Sequence, residues 1–406
     1  MRNILFLMLA AMTITVGILA DSGFMYGTVT THDDKKYTGY IRWGGEETFW
    51  FDEFNAVKLE NPFLKHLSKK DKRLLRDSRG DDDVTFSIFD IHIKSFNKSS
   101  YTHQFVCRFG DIKRIEGEDE IIVTLKNGEE LEVGDNSNDI GAKLTIQDEK
   151  IGKINVRWER VESVEFSAPP ADTFKERPLY GTVTSEDGSF TGFIQWDSQE
   201  RLASDELDGD TEDGQVSLIM GEIRTMEKKR NGLLVKTTDK QEYYMTGTTD
   251  VGSENRGICI TTPDGVITEV SWDSFKKVEF SDKVPAMIGY KDYPNTKRLK
   301  AVVTTQEGEK VEGLIAYDLD ESWDFESLEG KIDGEEVEHR VPFRLISSIQ
   351  LNDDGEATVT LKNEKKIEFT DGQDVTDMNQ GLLVFKNDTD KKPRYIPWDE
   401  IKSVTF

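Results

Sequence analysis

The sequence predicts an all-β protein made of three tandem repeats, and three observations carry that prediction. An opening signature, YGTVTTHDDKKYTGYIRWGGEE from Tyr26, returns as YGTVTSEDGSFTGFIQWDSQE from Tyr180 and as KAVVTTQEGEKVEGLIAYDLDE from Lys300. A closing signature ends each copy: VRWERVESVEF at Phe166, VSWDSFKKVEF at Phe280 and IPWDEIKSVTF at Phe406. Between these marks apolar and polar residues alternate around Asp, Asn and Gly turns, which is the period of half-buried strands.

In chain order, the first stretch reads as a leader. Arg2 supplies a positive start, Ile4 to Ala20 is apolar without a charge, and the polar Asp21, Ser22 and Gly23 follow. This is the pattern of a secretory signal peptide over 1–20. A membrane anchor is the competing reading, but the apolar run barely spans a bilayer and no basic stop-transfer cluster follows it. No Cys stands after the run to carry a lipid, so the expectation is a cleaved, periplasmic or secreted chain without a transmembrane segment.

Repeat 1 is expected over 21–168, a Pro-bearing linker over 169–178, repeat 2 over 179–281, a second linker over 282–298 and repeat 3 over 299–406. Within each copy a third signature, FGDIKRIEG from Phe109, MGEIRTMEK from Met220 and FRLISSIQL from Phe343, repeats the form of the closing strand. A hairpin pattern follows it: VTLKNGEELEV from Val123, LVKTTDKQEYYM from Leu234 and VTLKNEKKIEF from Val359. Each copy is therefore expected to hold two small modules, six in all, and a six-bladed propeller-like ring is the rival to a string of modules.

Repeat 1 alone carries an insertion, at about 57–100. Within it Asn61 before Pro62, and Ser68 three residues before Asp71, are helix-start signals, and Leu64, Leu67, Leu74 and Leu75 can share a face. The insertion is also a basic island, with Lys69, Lys70, Arg73 and Arg76 at its centre. Two roles fit: a helix folded back on its own acidic protein, or a docking element for an anionic partner.

In the opening half of each copy, Gly181, Asp187, Gly188, Gly192, Ile194 and Asp197 resemble the first signature of Sm-like barrels, small and strongly bent sheets. Gly39, Gly192 and Gly313 suit such a bend, where a side chain would clash. The nucleotide-contacting Asn and basic loop of that family have no counterpart here, so RNA binding does not carry over. The whole chain also resembles an uncharacterised family of exported bacterial proteins with GTVTT and NRGI-type repeats, a likeness that implies no activity.

A net charge of −26 repels nucleic acid and anionic membranes and favours cations or a basic partner. Only two cysteines occur, Cys107 and Cys259, each in an apolar strand-like run where a buried thiol is expected, a bridge between them being the other reading. No nucleophile elbow, phosphate-cradling loop or zinc-ligand spacing stands in the sequence, which points away from an enzyme.

The acids repeat. Glu47, Glu200 and Glu321 follow Trp43, Trp196 and Tyr317 by four residues, and Asp52, Asp205 and Glu326 stand five further on. Two carboxylates per copy fit a divalent cation such as calcium, or a basic partner; turn capping is the alternative. Trp50 and Trp323, flanked by Phe and acids, are the candidates for an exposed sugar-stacking surface. The expectation is a non-catalytic binding or structural protein of the bacterial envelope, with an envelope protein or a glycan as partner.

Overall fold

The computed structural model describes residues 23–59, 61–72, 103–117, 121–134, 139–170, 174–332, 337–352 and 356–406. The leader and the basic residues Arg73 and Arg76 lie outside the described residues. The described chain is all-β, with four antiparallel sheets, none closed into a barrel. No helix among the described residues is long and apolar enough to cross a membrane.

Repeat 1 supplies ten strands: β1 (Tyr26–Thr31), β2 (Lys36–Trp43), β3 (Glu53–Lys58), β4 (His103–Arg108), β5 (Ile112–Glu116), β6 (Ile121–Leu125), β7 (Glu130–Gly134), β8 (Leu144–Asp148), β9 (Gly152–Val156) and β10 (Val161–Phe166). They form one sheet in the order β4-β3-β7-β6-β5-β10-β1-β2-β8-β9. Leaving aside the β3–β4 hairpin, repeat 2 runs through the same order of eight strands from Tyr180–Ser185 to Phe275–Phe280, and repeat 3 from Lys300–Thr305 to Ile401–Thr405.

The expectation of two separate modules per copy is corrected here. Strand β10 lies between β5 and β1, pairing Val164 with Ile115 on one side and with Val29 on the other. The two look-alike signatures are thus neighbours in one sheet, and each buries its apolar side in the same core. Both begin with a single 3-10 turn, Phe109–Asp111 before β5 and Trp158–Arg160 before β10. Among the described residues no six-bladed ring forms, for the same reason.

Gly39 sits where β2 changes partners, facing Gly27 of β1 and Asp148 of β8. A Cβ at Gly39, Gly192 or Gly313 would run into the carbonyl oxygen of Gln147, Thr261 or Phe385, so the strand can be flanked this closely only by glycine.

Hairpin β3–β4 is the part whose pairing differs between copies. In repeat 1 it joins β7; in repeat 2 its equivalent, Glu206–Thr211 with Gly214–Ile219, is a separate two-stranded sheet. In repeat 3 it crosses over: Glu338–Pro342 pairs with Ile267–Val270 of repeat 2, Ile267 opposite Arg340 and Glu269 opposite Glu338. One sheet therefore runs from repeat 2 into repeat 3.

Each repeat has its own apolar core, and the cores reach across boundaries. Phe193 and Leu202 of repeat 2 and Phe325 of repeat 3 belong to the core of repeat 1. The linker residues are tied down as well: Phe174 stacks on Tyr40 at 4.3 Å between ring centres, and Tyr290 donates its hydroxyl to the Ile112 carbonyl at 2.9 Å. Tyr293 is buried against Gly110. A string of independent units is not the arrangement seen.

The insertion starts as its residues foretell. Asn61 Oδ1 accepts from the N–H groups of Phe63 and Leu64, and Ser68 and Asp71 cap each other, Asp71 N to Ser68 Oγ at 3.1 Å and Ser68 N to Asp71 Oδ2 at 3.2 Å. Phe63, Leu64 and buried Leu67 pack on Leu319, Leu383 and Phe385 of repeat 3. Cys107 and Cys259 are both buried free thiols.

Candidate functional site

In every repeat the strand equivalent to β2 ends in a tight turn whose two central residues have left-handed backbones. Repeat 1 places Gly44 and Gly45 there, repeat 2 Asp197 (φ +47°) and Ser198 (φ +55°), and repeat 3 Asp318 (φ +45°) and Leu319 (φ +58°). Glycine takes this conformation freely, whereas the other four residues cost strain. The turn closes with paired backbone bonds between Trp43 and Glu47, Trp196 and Glu200, and Tyr317 and Glu321.

The second acid of each copy caps the next turn. Asp52 Oδ2 accepts from the N–H groups of Thr48 and Phe49 at 2.7 and 2.8 Å, Asp205 Oδ2 from Arg201 and Leu202 at 2.8 and 2.9 Å, and Glu326 Oε2 from Ser322 and Trp323 at 2.6 and 2.8 Å. Each cap is then met by a cation of another repeat. Asp52 pairs with Arg201, Asp205 with Arg42 at 2.6 Å, and Glu326 with Lys58 at 2.6 Å. The basic partner of these acids is the protein itself.

Further cations finish the junction. Arg340 of repeat 3 reaches Glu53 of repeat 1 at 3.3 Å and Glu269 of repeat 2 at 2.8 Å, touching all three copies from a nearly buried position. Arg344 reaches the fully buried Asp111 of repeat 1 at 2.8 Å. A polar cavity of about 90 Å³ opens between Asp52, Glu53, Arg201, Arg256 and Arg340, large enough for a few waters.

The first acid has a different setting. Glu47, Glu200 and Glu321 each keep a buried Oε2 without a hydrogen-bond partner. Beside them lie Asp139, Asp250 and Asp374, which tie hairpin to core: their Oδ2 atoms accept from Asn55 N at 2.5 Å, Asp208 N at 2.8 Å and Glu329 N at 2.7 Å. Their carbonyls accept from Trp43 Nε1, Trp196 Nε1 and the Tyr317 hydroxyl at 2.8, 2.9 and 2.7 Å. Burial pushes the Glu200 carboxyl up to about 8 and those of Asp139 and Asp374 up to about 7, and holds Glu47 and Glu321 well above the carboxylate range, with the neighbouring aspartate adding to it.

In repeat 2 this group gains a third member. Oxygens of Asp197, Glu200 and Asp250 lie within 4.8 Å of one another, the one such cluster among the described residues. Asp197 Oδ1 accepts from Arg256 N at 2.6 Å, while its Oδ2 is buried without a partner. In repeat 3 Asp318 accepts likewise from Gln380 N. Repeat 1 has Gly44 and lacks the Asn-x-Gly piece that this aspartate holds in the other copies, so the two features come and go together.

Trp50 is not an exposed platform. It is fully buried, packed on Phe166 and on the linker ring of Tyr290. Trp323 is half-buried, with the Arg298 guanidinium over its face at 5.4 Å and Phe325 stacked at 6.3 Å. Both aromatics serve the junction because Phe49, Phe51 and Phe325 beside them are core residues. Lys69 and Lys70 remain exposed.

Arg42, Lys58, Arg201 and Arg340, which make the junction, do not stand out in the sequence, because their positions are not repeated. Asp197 could have been found by aligning the copies at Gly44, Asp197 and Asp318. No family model, curated protein or solved structure matches this chain.

Proposed function

We propose that the chain is an exported, non-catalytic binding or structural protein of the bacterial cell envelope. Its leader-like first 20 residues support export, and the likeness to exported bacterial repeat proteins agrees with it. The observation that carries the binding role is the insertion: its apolar side is anchored on repeat 3, while Lys65, Lys69, Lys70 and Lys72 stay exposed on a protein of net charge −26. A basic element held out from an acidic body fits an anionic envelope polymer or protein.

Expression with the native leader, followed by fractionation and N-terminal sequencing, tests export. Mature protein starting near Asp21 in the periplasmic or secreted fraction is expected, and a cytosolic chain still starting at Met1 overturns it. For binding, Lys69→Glu with Lys70→Glu should release the chain from envelopes at low salt without lowering its melting temperature. A fall in stability with unchanged association would make the insertion a structural brace only.

A further inference from the structure

We propose that Asp197, Glu200 and Asp250 form a site for one divalent cation of calcium's kind in repeat 2. The inference is independent of where the protein resides and of what the insertion binds. The three residues are each at least nine-tenths buried, and one oxygen from each lies within 4.8 Å of the others. Oxygens on opposite sides of a calcium ion stand about 5 Å apart, so such a group can share one ion.

Two orphaned atoms point to the ligand. Asp197 Oδ2 and Glu200 Oε2 are both shut off from solvent and accept no hydrogen bond. A buried carboxylate oxygen left this way costs free energy that a cation would recover. Asp197 Oδ1 is anchored by Arg256 N at 2.6 Å, which presents its orphaned Oδ2 in a fixed position, while Asp250 is held at Oδ2 by Asp208 N at 2.8 Å and at Oδ1 by Thr249 Oγ1 at 3.3 Å. The loop carbonyl of Asp250 is held by Trp196 Nε1 and Asn255 Nδ2. Arg256 is engaged by Asp197 Oδ1 at 3.4 Å, by the Asp197 carbonyl and by Glu46 at 3.8 Å, and among the described residues no ion pair joins Glu200 or Asp250 to a cation.

The other copies act as internal controls. Repeat 1 has Gly44 where the third carboxylate stands, and in repeat 3 Asp318, Glu321 and Asp374 do not converge as the repeat 2 trio does. One cation per chain follows.

The full mature chain, stripped with chelator, is titrated with calcium by calorimetry and melted with and without millimolar calcium. The expected result is one binding event per chain and a melting temperature raised by about 3 °C or more. Glu200→Gln and, as a second near-isosteric change, Asp197→Asn should each abolish both the heat and the rise. Glu47→Gln and Glu321→Gln should keep them. Absence of heat and shift in the wild type overturns the site, and so does a calcium response that survives in Glu200→Gln or Asp197→Asn.

Discussion

Arg201 of repeat 2 lies against Asp52 of repeat 1, with 7% and 1% of their side chains exposed, and Asp52 at the same time caps the turn that precedes β3. One carboxylate thus fixes a local turn and a boundary between copies. Removing one partner of such a buried pair leaves a lone charge and costs about 3–5 kcal/mol. Arg201→Met is expected to lower stability to urea by that much, and Asp52→Asn together with Arg201→Met by less than the sum of the two single changes. Additive losses would mean that the two groups are not coupled.

Buried acids in this protein act against it as pH rises. An unfolded aspartate or glutamate releases its proton near pH 4, whereas burial holds the protons of Asp139 and Asp374 to about 7 and raises Glu47 well above the carboxylate range. The folded state binds the extra proton, so this contribution is full below about pH 4 and is lost as pH rises through 7. Glu47→Gln removes one of the two repeat 1 contributions and leaves that of Asp139. Its melting temperature should fall less between pH 5 and 8 than that of the wild type, and an identical pH profile for the two would refute the assignment.

Trp50 fills the space between repeat 1 and the second linker. Trp50→Ala should cost about 3–5 kcal/mol in urea unfolding. A variant as stable as wild type would show that the indole is not packed as described.

The second linker, 282–298, has the prolines of a flexible tether but lies on repeat 1 through Tyr290, Tyr293 and Thr296, the last accepting from Asn127 Nδ2 at 3.1 Å. Brief proteolysis of the native chain should leave it uncut. Rapid cleavage between Val284 and Lys297 would place the linker in solvent instead.

Alternation around Asp, Asn and Gly turns is enough to read the all-β class, since strand periodicity depends on near neighbours in the chain, and Gly39 is legible because its position recurs as Gly192 and Gly313. Whether β5 and β10 belong to two sheets or one was not readable, because look-alike strands can bury their apolar sides apart or together and only tertiary pairing decides. The acids were visible through repetition, but their cations were not: Arg42, Lys58 and Arg201 each occur once, and nothing local marks a residue that reaches across a boundary. Acidic neighbours give Trp50 the pattern of a surface residue, although here Asp52 turns inward to cap a backbone.

Buried pairs on the capping acids make three copies into one body, and calorimetric unfolding of the full chain tests this most directly. A single transition is expected, with the van't Hoff enthalpy equal to the calorimetric one. A van't Hoff enthalpy near a third of the calorimetric value, unchanged by Arg201→Met or Lys58→Met, would show three copies unfolding separately and would contradict the claim.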